Sequence, residues 1–256
     1  MSHFCGLVIN TKNAHCYGDL EESLRPYDEN LKLPMHKVLT KEEMIERGRE
    51  RIQDYKENFY NEYLKDPEGY KESHSNEAHI HYISEEFPKK LNWTDEEIYE
   101  DYISEYREYI EGGEDWCKIG LDGSLWETTN ENAKWDWYDI GGRWNGFIKT
   151  KDGEFVNECE LGDIDLTPFS DDDYEPEEKE DWQGNKYRQL KDGVKNHITK
   201  ESPAFCLIVD GEWFEKGKMG WWGITTDENE NWKDVFNEII AKLPADSEVI
   251  LVDFHI

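Results

Sequence analysis

The run Lys134-Trp135-Asp136-Trp137-Tyr138-Asp139-Ile140-Gly141-Gly142-Arg143-Trp144-Asn145-Gly146 gathers three tryptophans, a tyrosine, two aspartates and an arginine around a Gly-Gly pair. Glycines let the backbone turn tightly or approach a ligand closely. An arginine beside them grips a phosphate or carboxylate through two parallel hydrogen bonds. Indole faces stack on nucleobases at about 1–3 kcal/mol per base. Trp135, Asp136, Trp137, Tyr138, Arg143 and Trp144 therefore suit an anion of nucleotide size that carries a planar ring. The same residues would also make an aromatic corner of core, with Arg143 paired to Asp136 or Asp139. Both readings stay open at this point.

A second stretch, Lys216-Gly217-Lys218-Met219-Gly220-Trp221-Trp222-Gly223, sets two adjacent indoles among glycines and rare local lysines. Neighbouring side chains of an extended chain face opposite ways, so one of Trp221 and Trp222 is expected in a cleft or in solvent. With Lys218 they form a candidate second ligand wall, or an edge loop that packs one ring on each side. Among the histidines, His74, His79 and His81 have the local density of a metal site, but no carboxylate or cysteine follows at a diagnostic spacing. His3 and His255 lie near opposite ends of the chain, on strands expected to share a sheet. They are candidates to converge with Asp253 as an acid–base or metal constellation, or to be structural histidines at strand ends.

No nucleophile elbow, P-loop, dinucleotide fingerprint, HExxH motif or kinase set is present. No catalytic residue, cofactor or metal is therefore assigned from motifs, and a non-catalytic binder is favoured.

The elements that must position these residues are legible in part. Residues 3–9 read as a buried strand. Thr40-Lys41-Glu42-Glu43 and Thr94-Asp95-Glu96-Glu97 are capping boxes that open helices. The first carries Ile45, Ile52, Tyr55, Phe59 and Tyr63 at helical spacing. The second carries Ile98, Tyr102, Tyr106, Tyr109 and Ile110 and stops at Gly112-Gly113. From about residue 116 the period shortens, with Asp152-Gly153 and Asp210-Gly211 as hairpin turns. Residues 170–196 read as an acidic surface excursion. A helix over about 232–243 and a final strand over 248–254 close the chain. The expected fold is a single α+β domain over residues 1–256, with a mixed or antiparallel sheet containing both terminal strands and helices on one side.

Composition narrows the classes. With 29 Lys and Arg against 60 Asp and Glu, the formal net charge is −31. Backbone-driven nucleic-acid binding, which needs clustered cations, is excluded as an expectation. Charge this high resembles disorder, but 11 Trp, 14 Tyr and 10 Phe supply a core. No stretch reaches the ~20 apolar residues of a membrane helix, and the first residues lack the basic region of a signal peptide. Five scattered cysteines without a CxxC pair fit a reducing cytosol.

Several segments together resemble a family of uncharacterised bacteriophage and prophage accessory proteins. They are Met1-Ser2-His3-Phe4, Pro26-Tyr27-Asp28-Glu29-Asn30, Phe87 to Leu91, Trp93 to Glu97, Trp135 to Trp144, Gly162 to Asp165, Gly217 to Gly223 and Asp253-Phe254-His255-Ile256. The resemblance spans nearly the whole chain and implies a viral protein acting in the bacterial cytoplasm. It carries no catalytic residues across. Cys5-Gly6 and the Cys117–Leu125 region depart from the pattern.

Three functions follow as expectations. The first is a counter-defence protein that binds a small nucleotide-type ligand or a host defence protein, without direct nucleic-acid or membrane binding and in an oligomeric state the sequence leaves open. The second is an acidic DNA mimic that inhibits a host nuclease. The third is a hydrolase of a nucleotide signal that uses His3, His255 and Asp253 or Asp136.

Overall fold

A computed structural model describes residues 2–181, 184–220 and 223–256. Contacts divide the chain into two compact units. Lys32–Thr129 is the smaller. Met1–Leu31 and Asn130–Ile256 together form the larger, which holds both chain ends.

In the smaller unit both capping boxes form. Helix α1 (Lys41–Tyr55) is capped by Thr40, whose hydroxyl accepts the Glu43 N–H while the Glu43 carboxylate accepts the Thr40 N–H. Helix α2 (Asp95–Glu111) repeats the arrangement with Thr94 and Glu97. These reciprocal bonds satisfy donors that a helix start otherwise leaves bare. Beyond Tyr55 the first helix widens into a π turn over Lys56–Tyr60 and continues to Lys65. Met44, Tyr99 and Ile103 bury against Leu39 and Leu125 of a small antiparallel sheet.

The larger unit is an α+β body built on a mixed sheet. Its strands are β1 (His3–Asn10), β2 (Trp137–Ile140), β3 (Glu158–Glu160), β4 (Cys206–Val209), β5 (Glu212–Glu215) and β6 (Glu248–His255). The order is β5-β4-β1-β6-β2, with β3 also pairing β6. β1 runs parallel to β4 and antiparallel to β6, so both terminal strands lie at the centre. The Asp210-Gly211 turn joins β4 to β5 with both residues at positive φ, 50° and 86°. That backbone suits a tight hairpin and favours glycine in the second place.

Helix α3 (Trp232–Lys242) covers one face, where Trp232 and Phe236 meet Leu7, Ile9, Leu207, Val249 and Leu251. The opposite face is covered by the short Leu20–Leu24 helix and by loop aromatics, with Phe4, Val8, Ile208, Val252 and Phe254 beneath them. Strands enclosed on both faces read as continuous apolar runs, as Cys206-Leu207-Ile208-Val209 does. The acidic segment carries a two-stranded ribbon, Lys179–Glu180 with Lys186–Tyr187.

Gly6 is the tight point of the second face. A Cβ there would sit 2.6 Å from Cys206 Sγ and 2.6 Å from the Phe254 ring. Overpacking of this kind costs about 1–3 kcal/mol. Gly6→Ala is therefore expected to lower stability by about that amount in urea unfolding; an unchanged midpoint would show that this face has room to relax.

Candidate functional site

The β1–β6 register sets His3 opposite His255, Cys5 opposite Asp253 and Leu7 opposite Leu251. On the other side of β6, His255 faces Trp137 and Asp253 faces Asp139. Side chains alternate across a sheet, so two polar rows, His3–His255–Trp137 and Cys5–Asp253–Asp139, continue the apolar face that α3 covers. The interior ends where leucine gives way to carboxylate and imidazole.

The two imidazoles are held alike. His3 Nδ1 lies 2.9 Å from Asp253 Oδ1, and His255 Nδ1 lies 2.5 Å from Asp136 Oδ1. Ionised carboxylates only accept hydrogen bonds, so each Nδ1 carries the proton and donates it. A neutral ring then presents its lone pair at Nε2, the tautomer a general base requires. The ring centroids are 4.9 Å apart at 74°. Trp137 stacks on His255 at 4.9 Å and 19° and meets His3 edge-on at 5.4 Å. The imidazole side chains are 8 % and 5 % exposed. No described residue hydrogen-bonds with either Nε2.

Asp253 is 2 % exposed and needs more than one partner. Its second oxygen accepts the backbone N–H of Arg143 at 2.9 Å. The Gly-Gly turn makes this approach feasible. Gly142 has φ +45°, and a Cβ on it would sit 2.4 Å from Asp253 Oδ2. Asn157 braces the same turn: its Oδ1 accepts the Gly146 N–H and its Nδ2 donates to Asn145 Oδ1, both at 2.7 Å. Asp136 is placed by its own N–H, which donates to the His255 carbonyl at 3.0 Å. Burial, reinforced by the Asp253 charge, pushes the Cys5 thiol up to about 12. Cys5 is thus a neutral small hydrophobe at this edge and not a nucleophile.

The Trp-rich run does not form one wall. Trp135 is buried on the opposite face of the sheet, edge-on to Tyr138 at 5.2 Å. Tyr138 is half-buried beside it, its phenol raised by burial and then by Glu21 and Asp19. Trp144 is half-buried and packs against the α3-side core. Trp137 alone of the three indoles meets the histidines. The Arg143 side chain is exposed and makes no ion pair among the described residues; Asp136, one of its expected partners, is held by His255.

Lys218 pairs with Asp227 at 2.8 Å, and that carboxylate raises its ammonium. Trp221 and Trp222 lie outside the described residues. The other histidine cluster sits in the smaller unit: His74 stacks on Tyr70 at 3.9 Å, and His79 lies 3.0 Å from the Tyr70 hydroxyl. Among the described residues, no group of three or more His, Cys, Asp or Glu side chains is arranged to hold a metal ion.

Sequence reading named His3, His255, Asp253 and Asp136. It missed the supporting parts, Gly142 and Asn157, whose only signal is the Gly-Gly pair. Comparison with family models, curated proteins and solved structures finds no match to this chain.

Nitrogen-15 NMR checks the arrangement. Both His3 and His255 are expected as Nδ1–H tautomers at a pH where they are neutral, and Asp253→Asn is expected to convert His3 alone to Nε2–H. Nε2–H rings in the unsubstituted protein would contradict the pairing.

Proposed function

We propose that this chain is an acid–base hydrolase of a small nucleotide-type phosphoester, working through His3 and His255. The observation that carries the reading is the pairing of two adjacent imidazoles. Each commits Nδ1 to its own carboxylate, and neither Nε2 is bonded by a described residue.

Two such rings supply what hydrolysis of a phosphoester needs. A water oxygen forms the new P–O bond as its proton passes to Nε2 of the neutral imidazole. The P–O bond to the leaving oxygen breaks as the other ring, in its imidazolium form, gives that oxygen a proton. The carboxylates hold the rings in orientation and balance the transient imidazolium charge, the role an aspartate plays behind a catalytic histidine. General acid–base transfer of this kind is worth about 10²–10⁴-fold.

Trp137, stacked on His255 and 45 % exposed, offers a surface for a base. Arg143, whose backbone N–H binds Asp253, has an exposed side chain with no ion pair among the described residues and suits the phosphate. The resemblance to bacteriophage accessory proteins supplies a setting, the removal of a nucleotide signal used in bacterial defence.

A second reading keeps the same residues as a binding site without turnover. The small exposure of the rings, 8 % and 5 %, favours it. Incubation with linear, cyclic and ADP-ribose-type nucleotides, followed by chromatography, separates the two. Turnover is expected, with a loss of about 10²-fold or more in His3→Ala and in His255→Ala. A thermal shift without any product would favour sequestration. Neither product nor shift with any nucleotide would overturn both readings.

A further inference from the structure

The smaller unit has a cavity of about 250 Å³ of its own between α1, α2 and the segment carrying Tyr82 to Trp93. Five of its eleven lining residues are aromatic, Tyr55, Tyr82, Phe87, Trp93 and Tyr102. Gly48 lets the two helices approach closely, since a Cβ there would lie 2.4 Å from Ile98 Cγ2.

Two cations lie over these rings. The Arg51 guanidinium is 4.8 Å from the Tyr102 ring centroid, and the Lys90 ammonium is 4.5 Å from that of Trp93. Lys90 is neutralised by Asp101, which it meets through both carboxylate oxygens at 3.0 and 3.1 Å. Arg51 has no ion pair among the described residues, so the lining keeps one uncompensated positive charge in a chain of net charge −31.

This combination selects a ligand class. An aromatic cage alone would suit a cation, but here the chain's own Arg51 and Lys90 already occupy ring faces. What is left is a planar surface for stacking and a guanidinium whose fork matches a phosphate or carboxylate. The volume lies just below the usual range for small-molecule sites, which suits a ligand that leaves its anionic end at the mouth.

We propose that this cavity binds a planar heteroaromatic anion of nucleoside-monophosphate size, its ring against Tyr55 and Phe87, over which no cation of the described residues lies, and its anionic group on Arg51. The site is independent of the histidine centre and does not rest on the function proposed for it.

Calorimetric titration of the full chain with AMP and GMP tests this, with adenosine alone and inorganic phosphate alone as parallel probes. Repeating the titration with Arg143→Ala, which removes the exposed cation assigned to phosphate at the histidine centre, separates the two sites: binding in this cavity is expected to survive it. Binding of a monophosphate is expected, with adenosine and phosphate each at least tenfold weaker. Arg51→Gln is expected to weaken it at least tenfold, and Arg51→Lys by less, because the charge remains while the fork is lost. Arg51 is exposed, so both variants are expected to fold, and circular dichroism verifies it. Tyr55→Leu provides a second, independent loss. The proposal is overturned if neither monophosphate binds, if adenosine or phosphate alone binds as tightly, or if Arg51→Gln leaves affinity unchanged.

Discussion

Everything in the larger unit depends on the antiparallel register between the first and last strands. Because side chains alternate with a period of two, a slip of one residue would send every residue of the shifted strand to the other face. His3 would then be opposed by Phe254 or lost beyond the strand end, and Asp253 would have no imidazole. The register is held from both sides. Leu7, Ile9, Val249 and Leu251 pack under α3, while Phe4, Val8, Val252 and Phe254 fill the opposite face. Gly6 leaves the space that the Phe254 ring occupies. The apolar core thus aligns two histidines that stand 252 positions apart in a 256-residue chain.

The polar end of this face is costly to build. Removing one partner of a buried charge pair typically costs about 3–5 kcal/mol, because the other is left unpaired. Asp253 avoids that penalty through His3 and through the Arg143 N–H, and the latter contact requires a backbone that only glycine adopts readily at residue 142. The Gly-Gly pair is therefore part of the electrostatics of the site. Asp136 is more exposed, at 28 %, and closer to its histidine. The two dyads share a chemistry but differ in solvation, an asymmetry that suits one proton donor and one proton acceptor.

Local signals in the sequence carried much of this. The capping boxes at Thr40 and Thr94, the Asp-Gly turns and the terminal strands are short-range features, and each forms where its residues indicate. The meeting of His3, His255 and Asp253 was legible because two strands with H-F-C and D-F-H patterns place alternate residues on one face. The second dyad was harder to foresee. Asp136 reaches His255 only because β2 pairs with the outer side of β6, a non-local choice. The Trp-rich run misleads because only part of it is strand: pleating sends Tyr138 to the face opposite Trp137, while Trp135, ahead of the strand, bridges to Asp28 and packs beside Tyr138.

The central claim is that the chain's two ends build one paired imidazole centre, and nuclear Overhauser spectroscopy tests it most directly. With ring centroids 4.9 Å apart, the carbon-bound protons of the His3 and His255 imidazoles are expected to show cross-peaks to each other and to the Trp137 indole. Assigned His3 and His255 rings with no mutual cross-peak, in an otherwise folded protein, would contradict the register and the site built on it.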